Sequence, residues 1–317
     1  MKFNSVLVTG GAGFIGSNIV VRLVREGKSV TVLDNFSSGY RVNLEPFPSV
    51  RIIEGDVRDA ATVERAVKSS DVIFHLAASV GNKRSIDDPL SDASVNVLGT
   101  LNILEAARKA GVKKIVVSSS AGIFGELKTL PIREDHPVEP DSPYGCTKLC
   151  EEKLSLAYSK LYPMEVVCLR YFNVYGPNQR YDAYGNAIPI FVFRMLKGET
   201  IYIYGDGEQT RDFVHVDDVV NANMLAASVE GVSGAFNIAS GTRITVNRLV
   251  GLIMGYGSTT SVVDHTDRRP GDVLHSLADI SFAREKLGFN PAVGIEEGLR
   301  SYISWAGQEV KQGSRQD

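Results

Sequence analysis

Tyr144 and Lys148 are the two residues of this chain whose types and spacing best suit acid–base chemistry. They begin and end the run Tyr-Gly-Cys-Thr-Lys, four positions apart. On a helix, residues at i and i+4 share a face, so the phenol and the ammonium would project together. A nearby ammonium favours the phenolate and lowers a tyrosine pKa from about 10 toward neutrality. The pair is a candidate general base for a sugar or alcohol hydroxyl, although this spacing also arises by chance on solvated helix faces.

Three consecutive serines, Ser118 to Ser120, close a predicted strand that precedes the helix carrying Tyr144. In α/β sheets, ligands bind at the carboxyl ends of parallel strands. Ser120 could therefore hydrogen-bond the reacting oxygen beside the tyrosine. Serines that merely close a strand are the alternative.

A glycine-rich turn connects the first predicted strand to the first helix. Gly11, Gly13 and Gly16 form a literal G-x-G-x-x-G, and Gly10 precedes them. Such glycines let the backbone turn tightly and approach a pyrophosphate, and the following helix N-terminus attracts the anion. Glycine strings also arise for structural reasons, so the strand–turn–helix context carries the prediction of a dinucleotide site.

Asp34 ends the second predicted strand, 18 residues after Gly16. A carboxylate there accepts hydrogen bonds from a ribose 2′-hydroxyl and would repel a 2′-phosphate, which predicts NAD(H) rather than NADP(H). Asp56 and Val57 follow the third strand, where they would reach the adenine edge. An aspartate at a strand end is also an ordinary turn former.

The elements that must position these residues alternate between strands and helices. Short β-branched runs predict strands, and the segments between them have apolar residues at helical spacing. The predicted strands are 5–10, 29–34, 50–56, 71–78, 113–120 and 164–173, and the predicted helices are 16–26, 59–68, 94–110 and 144–161. This alternation predicts an α/β fold, a doubly wound parallel sheet of the Rossmann type, with a smaller C-terminal substrate-binding α/β domain.

A second region begins after Asn173, where the sequence becomes rich in Gly, Pro, Tyr and Asn. Residues 212–227 and 234–240 again read as helix and strand and are expected to return to the main sheet. The sequence therefore predicts a dinucleotide-binding domain over 1–173, joined by 212–240, and a substrate domain over 174–211 and 241–317.

Composition argues against several other classes of protein. The chain has 317 residues, 44% hydrophobic and 22% charged, as in ordinary globular proteins, and its net charge of −3 does not favour a nucleic-acid or membrane-surface binder. Cys146, Cys150 and Cys168 match no zinc motif, so no metal is expected. The first residues enter a strand directly and no apolar run could span a bilayer, so we expect a cytoplasmic protein.

The ordered set of motifs resembles the extended short-chain dehydrogenases/reductases, and within them the UDP-glucose 4-epimerase family acting on UDP-hexoses and UDP-N-acetylhexosamines. The motifs extend over nearly the whole chain: TGGAGFIG (9–16), LDNFSSG (33–39), GDVRD (55–59), HLAA (75–78), SSSAGIFG (118–125), YGCTK (144–148), LRYFNVYGP (169–177), IYGDGEQTRDFVHVDD (203–218) and RPGD (269–272). Each motif is widespread, whereas the ordered set is specific.

The resemblance assigns roles to individual positions. It implies Tyr144 as the base, Lys148 as its electrostatic support and ribose ligand, and Ser120 as the hydroxyl partner. The implied NAD contacts are Gly10, Gly13, Phe14, Ile15, Gly16, Asp34, Asn35, Ser38, Gly39, Asp56, Val57, Leu76, Ala77, Ala78, Asn96, Tyr144, Lys148 and Phe172. The implied UDP-sugar contacts are Ser120, Asn173, Ala187, Ile188, Pro189, Tyr202, Tyr204, Arg211, Arg269, Asp272 and Ser276.

Two departures from related enzymes bear on the chemistry. Sugar-nucleotide dehydratases carry an acidic pair after the active serine or threonine, where this chain has Ala121 and Gly122. Neither carries a proton, so dehydration is disfavoured and 4-epimerisation through a 4-keto sugar is expected. Phe124 replaces a frequent tyrosine, which removes one hydroxyl near the sugar.

The resemblance leaves the sugar open. Ser276 falls where a bulky residue excludes N-acetylated sugars in the family, and its small size suggests that UDP-GlcNAc and UDP-GalNAc are accepted; a surface serine in a misaligned loop is the alternative. Another C4-oxidising enzyme, such as a UDP-uronic acid epimerase, and a non-enzymatic NAD sensor are the rival functions. The resemblance also implies a homodimer through helices near 94–110 and 144–161.

Overall fold

The computed structural model describes residues 1–179, 181, 186–257, 260–268 and 273–312. The strands are β1 Ser5–Thr9, β2 Ser29–Asp34, β3 Arg51–Glu54, β4 Val72–His75, β5 Lys114–Ser120, β6 Glu165–Tyr171, β7 Asn173–Tyr175, β8 Ile201–Tyr204, β9 Thr210–Arg211, β10 Phe213–His215, β11 Gly234–Ile238, β12 Ile244–Thr245 and β13 Val263–Thr266. The α-helices are α1 Phe14–Arg25, α2 Ala60–Val67, α3 Asn82–Asp87, α4 Pro89–Ala93, α5 Thr100–Ala110, α6 Pro143–Leu161, α7 Ala187–Leu196, α8 Val216–Ser228, α9 Val246–Tyr256, α10 Ser281–Leu287 and α11 Ile295–Gln312. A π-helical segment, Ser94–Gly99, joins α4 to α5, and short 3-10 turns lie at Arg41–Asn43 and Ala121–Ile123.

Seven strands form the main sheet in the order β11-β6-β5-β4-β1-β2-β3. All neighbouring pairs in it are parallel. The order reverses beside β1, and such a reversal creates the crevice in which doubly wound sheets bind ligands. The predicted doubly wound parallel sheet is confirmed.

Helices cover both faces because the strands are apolar on both sides. Val6 and Val8 of β1 share one core with Ile19 of α1 and Val219 of α8, whereas Leu7 between them packs with residues of α2 and α5 on the other face. The alternation follows from the two-residue period of a strand. It places α6, which carries Tyr144, on the same face as α2 and α5.

The second region contains short strands and a separate apolar core. Three two-stranded pairings, β10 with β7, β12 with β9 and β13 with β8, lie outside the main sheet. Their core collects apolar residues of α7, α9 and α11 around Tyr175, Phe213 and Tyr302. In contrast, β11 pairs with β6 and α8 packs against β5 and β6, so this part of the late sequence contributes to the main sheet.

Membrane-spanning helices and metal clusters are both absent from the described part of the chain. No helix there combines the length and the apolar character needed to cross a bilayer. No group of three or more His, Cys, Asp or Glu side chains there could hold a metal ion.

Candidate active site

The turn between β1 and α1 requires glycine for two different reasons. Gly10 has φ +68°, which favours glycine, and it lies against the backbone of Leu76 and Ala77. A Cβ on Gly16 would lie 2.1 Å from the carbonyl oxygen of Gly10. The first turn of α1 therefore packs directly under the glycine turn.

The N-terminus of α1 is suited to an anion. Gly13 caps the helix without a side-chain hydrogen bond, and the first turn, beginning with Phe14 and Ile15, carries no acidic residue. Its free N–H groups and partial positive charge fit a pyrophosphate.

Asp34 lies at the end of β2 beside this turn. Its Oδ2 accepts a hydrogen bond from Ala12 N at 2.9 Å and its Oδ1 one from Phe36 N at 2.8 Å. Burial raises the pKa of Asp34, and the two backbone hydrogen bonds oppose that rise. Each oxygen keeps acceptor capacity, so the carboxyl group fits a ribose diol in a fixed orientation.

The loop after Asp34 folds over the glycine turn. Ser38 is exposed, and a Cβ on Gly39 would lie 2.7 Å from the backbone carbon of Ala12. Asn35 donates to Asp56 at 2.8 Å.

Asp56 and its neighbours line the far end of the predicted adenine site. Asp56 also accepts hydrogen bonds from the guanidinium of Arg58 at 2.7 and 2.8 Å, and Arg58 lowers the pKa of this carboxyl group. Val57 is buried against Gly99, while Ala78 is half-buried. Sequence reasoning missed Arg58, which holds Asp56 in place.

Asn96 is fully buried and its side-chain amide is already in use. Its Oδ1 accepts from Ser79 N at 2.8 Å, and its Nδ2 donates to Thr147 Oγ1 at 3.0 Å and to Asp92 Oδ2 at 3.3 Å. Thr147 in turn donates to Asp92 at 2.6 Å. These hydrogen bonds tie the loop at residue 79 to α6 and fix the amide of Asn96, whose predicted contact with the cofactor stays a prediction.

Helix α6 presents Tyr144 and Lys148 near Ser120. Ser142 caps the helix by accepting from Gly145 N at 3.1 Å, and Pro143 occupies its first turn. A Cβ on Gly145 would lie 2.4 Å from the carbonyl oxygen of Gly122, so the glycine allows α6 to approach the turn after β5. Ser120, whose Oγ accepts from Gly122 N at 3.0 Å, and the ring of Tyr144 both border Gly122, and Lys148 lies one helical turn beyond Tyr144, so the three predicted catalytic residues lie close together.

Gly122 occupies a critical place in this arrangement. A Cβ built on it would lie 3.3 Å from Ser120 Oγ and 3.6 Å from Cε1 of Tyr144. A side chain at this position would therefore reach the reacting groups directly. Glycine leaves that space without a proton donor or acceptor.

The pKa of Tyr144 differs from the simple expectation of a lowered value. Burial raises it, and although Lys148 and the Ser120 hydrogen bond oppose the rise, the net direction is upward. The charges of Glu151 and Asp92 add to it. The expectation from spacing considered only the lysine and is corrected by desolvation and by these acids.

Glu151 and Glu152, two consecutive glutamates on α6 that the sequence patterns did not single out, are almost completely buried. Glu152 accepts two hydrogen bonds from Arg170, at 2.8 and 2.9 Å, and one from Ser119 at 2.7 Å. This bidentate pair ties α6 to β5 and β6. Glu151 contacts Lys148, with Oε2 2.5 Å from Nζ. The signal in the sequence was the charged Arg170 inside an otherwise apolar strand.

The predicted sugar-side residues gather around β7 and β9. Asn173 donates to the carbonyl of Asp212 at 3.0 Å, next to Arg211 on β9. The guanidinium of Arg211 donates to the carbonyl of Thr210 at 3.0 Å, and Ser276 N donates to the same oxygen at 3.1 Å. Asn173, Arg211 and Ser276 therefore lie on adjoining backbone segments.

The aromatic residues predicted beside the nucleotide share one face of β8. Tyr202 is 42% exposed and Tyr204 half-buried, while the alternate residues of the strand enter the core. Tyr204 also lines a cavity of about 150 Å³ with Gly205, Asp206, Gln209, Arg268, Val273 and Leu274. Ala187, Ile188 and Pro189 begin α7, half-buried or buried. Arg269 and Asp272 lie outside the described residues.

Phe124 and Phe172 form an apolar floor under the site. Both are buried, with ring centroids 6.3 Å apart, and Phe124 also meets the ring of His136 edge-on at 5.5 Å. The missing hydroxyl at Phe124 is thus replaced by aromatic packing.

Comparison with known proteins identifies the class that this fold and site define. The family model described as "GDP-mannose 4,6 dehydratase" matches residues 7–302, and the chain belongs to this family. The resemblance to the extended short-chain dehydrogenases/reductases of the UDP-glucose 4-epimerase type is confirmed.

Three solved structures are closely similar. UDP-glucose 4-epimerase from Thermotoga maritima, solved with UDP-glucose, is 39% identical with a TM-score of 0.92, covering 96% of this chain and 99% of that one. UDP-N-acetylglucosamine 4-epimerase from Methanobrevibacter ruminantium, in complex with UDP-N-acetylmuramic acid, has the same identity and TM-score, with coverages of 98% and 100%. UDP-glucose 4-epimerase from Thermus thermophilus, solved with NAD, is 37% identical with a TM-score of 0.86, covering 95% and 98%.

Proposed function

We propose that this protein is an NAD-dependent UDP-sugar 4-epimerase. The observation that carries the proposal is Gly122, which adjoins both Ser120 and Tyr144 and leaves the site without the additional acid that dehydration uses. Positions 121 and 122 thus offer no second proton-transferring group, and Tyr144 suffices for oxidation at C4 and return of the hydride. The three similar structures, all named as 4-epimerases, support the same reaction.

The cofactor proposed for the first half of the chain is NAD. The uncapped N-terminus of α1 fits its pyrophosphate, and Asp34 fits the adenosine ribose. When bound, NAD⁺ accepts a hydride from the sugar and returns it. Lys148 would hold the nicotinamide ribose, and Leu76 and Ala77, against the glycine turn, would border the dinucleotide.

Proton transfer is assigned to Tyr144. Its phenolate accepts the proton of the C4 hydroxyl, Ser120 hydrogen-bonds the same oxygen, and the charge of Lys148 stabilises the phenolate. In the second half-reaction Tyr144 returns the proton to the C4 oxygen. The 4-keto sugar between these steps turns about its diphosphate linkage, so that C4 presents its other face.

The second region is proposed to hold UDP. Arg211, supported by Asn173, would bind the diphosphate as guanidinium groups do, and Tyr202 and Tyr204 would border the uridine. Arg269 and Asp272 are proposed to complete the diphosphate and ribose contacts. We retain the division into a dinucleotide domain (1–173 with 212–240) and a substrate domain (174–211 and 241–317) as part of this proposal.

N-acetylated sugars are proposed as accepted substrates. Ser276 is small, 8% exposed, and lies beside Arg211 through the shared Thr210 carbonyl. A small residue at the sugar end leaves volume for an acetamido group.

We further propose a cytoplasmic homodimer. Leu90 and Leu98, on the segment from α4 to α5, are 82% and 56% exposed, and Leu161 at the end of α6 is 70% exposed. Burial of these side chains by a second copy would remove apolar area from water. Leu98→Glu should convert the dimer to a monomer in light scattering.

The cytoplasmic location is proposed from the cysteines, because three free cysteines are consistent with a reducing compartment.

The decisive experiment is incubation of the NAD-loaded protein with UDP-glucose, UDP-GlcNAc, UDP-glucuronate and dTDP-glucose, with products resolved by C4 configuration. We expect interconversion of C4 epimers of the UDP-hexoses, and a loss of about 10²–10⁴-fold in turnover for Tyr144→Phe with retained UDP-sugar binding. A 4-keto-6-deoxy product, or full activity in Tyr144→Phe, would contradict the proposal. Turnover confined to UDP-glucuronate would identify the uronic acid alternative.

A further inference from the structure

Glu151 is a buried acid in direct contact with the proposed electrostatic support of the base. Its side chain is 1% exposed and that of Lys148 is 2% exposed. Oε2 lies 2.5 Å from Lys148 Nζ, and Oε1 has no hydrogen-bond partner among the residues that the structure describes. A buried carboxyl oxygen without a partner is costly, so the position is not explained by stability.

The neighbouring Glu152 provides an internal contrast. It is equally buried, but Arg170 and Ser119 satisfy both of its oxygens, and the hydrogen bond of Lys148 goes to Glu151 instead. Glu152 thus has a structural role, whereas Glu151 faces the site.

The titratable groups facing Glu151 come from three elements. They are Tyr144, Lys148 and Glu152 on its own helix α6, Asp92 on α4, and Cys168 and Tyr171 on β6. Burial raises the pKa values of Cys168 and Tyr171, which keeps both neutral. The charges that act on Glu151 are therefore Lys148, Glu152 and Asp92.

The charge of Glu151 acts on the tyrosine in the direction opposite to Lys148. Lys148 favours the Tyr144 phenolate and an ionised Glu151 disfavours it. Burial raises the pKa of Glu151 to about 7, although Lys148 opposes this. The pKa of Glu151 is thus moved from its ordinary range toward that of the proposed reaction.

We propose that Glu151 is a positioning residue that holds the Lys148 ammonium and whose negative charge partly cancels the support that Lys148 gives to the Tyr144 phenolate. The inference rests on the proposed role of Tyr144 as the base. When Glu151 is protonated, the positive charge of Lys148 stabilises the Tyr144 phenolate without that opposition. The pH range of turnover therefore depends on Glu151 as well as on Tyr144.

Two variants separate the hydrogen bond from the charge. Glu151→Gln keeps an oxygen that accepts from Lys148 but carries no charge, whereas Glu151→Met removes both and fills the same volume. Glu152→Gln is the matched control for a buried carboxylate one residue along; because it breaks the pair with Arg170, it is measured at a temperature at which it is still folded. Thermal melting checks that each variant is folded.

The first measurement is the pH dependence of kcat for UDP-sugar epimerisation. Glu151 lies two helical turns from Tyr144, or about 10 Å, and at that separation one charge moves an acid–base limb by up to about one pH unit. In Glu151→Gln the acidic limb of the kcat profile should move to lower pH by that amount, while the kcat at the plateau stays of the same order. Glu151→Met should show the same displacement with a plateau lower by about tenfold or more, because Lys148 is no longer held.

A second measurement does not depend on turnover. The phenolate absorbance of the NAD-loaded protein, taken as the difference from the matching Tyr144→Phe protein, titrates Tyr144 alone. In Glu151→Gln this titration should move to lower pH. An unmoved or upward-moved titration in Glu151→Gln, or an equal displacement in Glu152→Gln, would overturn the inference.

The two measurements distinguish the two proposals. If no UDP-sugar is epimerised while the phenolate titration moves as expected, the proposed function fails and only the effect of the Glu151 charge on Tyr144 stands. If epimerisation depends on Tyr144 while Glu151→Gln leaves both the titration and the limb in place, only the inference fails.

Discussion

The two halves of the site differ in how firmly their polar groups are held. On the dinucleotide side, Asp34, Asn96 and Glu152 are buried and each makes two or more hydrogen bonds within the protein. On the sugar side the strands have two to four residues, and Tyr202 is 42% exposed. Arg211 is held there through backbone carbonyls.

The difference fits the chemistry proposed for each half. A cofactor that stays bound through the cycle binds more tightly to side chains that are already fixed, because less conformational entropy is lost on binding. A sugar that must present both faces of C4 needs a firm grip on its diphosphate and freedom elsewhere. The following variants test the contrast.

The largest effect on stability is expected for Glu152→Gln. Removing one partner of a buried ion pair leaves Arg170 uncompensated and should lower the free energy of unfolding by about 3–5 kcal/mol. Glu64→Gln is the control, because its pair with Lys109 is exposed and should contribute less than about 1 kcal/mol. Denaturant unfolding measures the free energy of unfolding of both variants. Equal losses in the two would show that the buried pair does not fix this half of the site more firmly than a surface pair does.

His75 should make the dinucleotide half sensitive to acid. It is buried between the hydroxyls of Thr9 and Thr100, at 2.7 and 2.9 Å, and burial lowers its pKa to about 3. The unfolded chain takes up the proton below about pH 6.5, so stability is complete above that pH and falls between 6.5 and 3 by about 1.4 kcal/mol per unit. Unfolding of His75→Gln over this range should lose that slope; an unchanged slope would show that other groups cause it.

Gly16→Ala tests the glycine turn. The added Cβ would meet the Gly10 carbonyl oxygen at 2.1 Å, so the turn must open and NAD should bind at least about tenfold more weakly. Gly307→Ala, where a Cβ meets nothing within 4 Å, is the control. Calorimetric titration with NAD measures the loss, and unchanged affinity in Gly16→Ala would show that the turn does not bind the cofactor.

The sequence was sufficient to predict the main sheet and to find those site residues that lie close together along the chain. The strand–turn–helix around Gly10 to Gly16 and the four-residue interval from Tyr144 to Lys148 depend on backbone periodicity, which short segments encode. The helix predicted over 94–110 corresponds to the π-helical segment Ser94–Gly99 followed by α5, and α4, Pro89–Ala93, continues it toward the N-terminus. Nothing in the local pattern separates a π-helical turn from an α-helical one.

Contacts between distant segments could not be predicted in this way. Arg170 meets Glu152 across two elements, and Asn96 meets Ser79 and Thr147 across three segments. The pairing of Glu151 with Lys148 was local in sequence, yet its importance depends on burial, which the helix pattern alone does not give. The raised pKa of Tyr144 arises from the same cause.

Arg211→Ala should weaken the binding of the UDP-sugar without changing the binding of NAD. A guanidinium lost from a diphosphate site removes charge-assisted hydrogen bonds, and UDP-sugar affinity should fall by about 10- to 100-fold. NAD affinity should be unchanged. Arg248→Ala, an arginine whose side chain is 65% exposed, controls for loss of a surface charge. Equal losses for both ligands would indicate that Arg211 acts through the fold.

Ser276→Tyr should have the most selective effect. If Ser276 borders the sugar, the added ring fills the volume proposed for the acetamido group, so turnover of UDP-GlcNAc should fall by about tenfold or more relative to UDP-glucose. Ser276→Ala keeps the side chain small and should leave the ratio of the two activities unchanged. Because the backbone N–H of Ser276 donates to the Thr210 carbonyl beside Arg211, general disruption would lower both activities together. Such parallel loss would place the sugar elsewhere and would remove Ser276 from the looser half of the site.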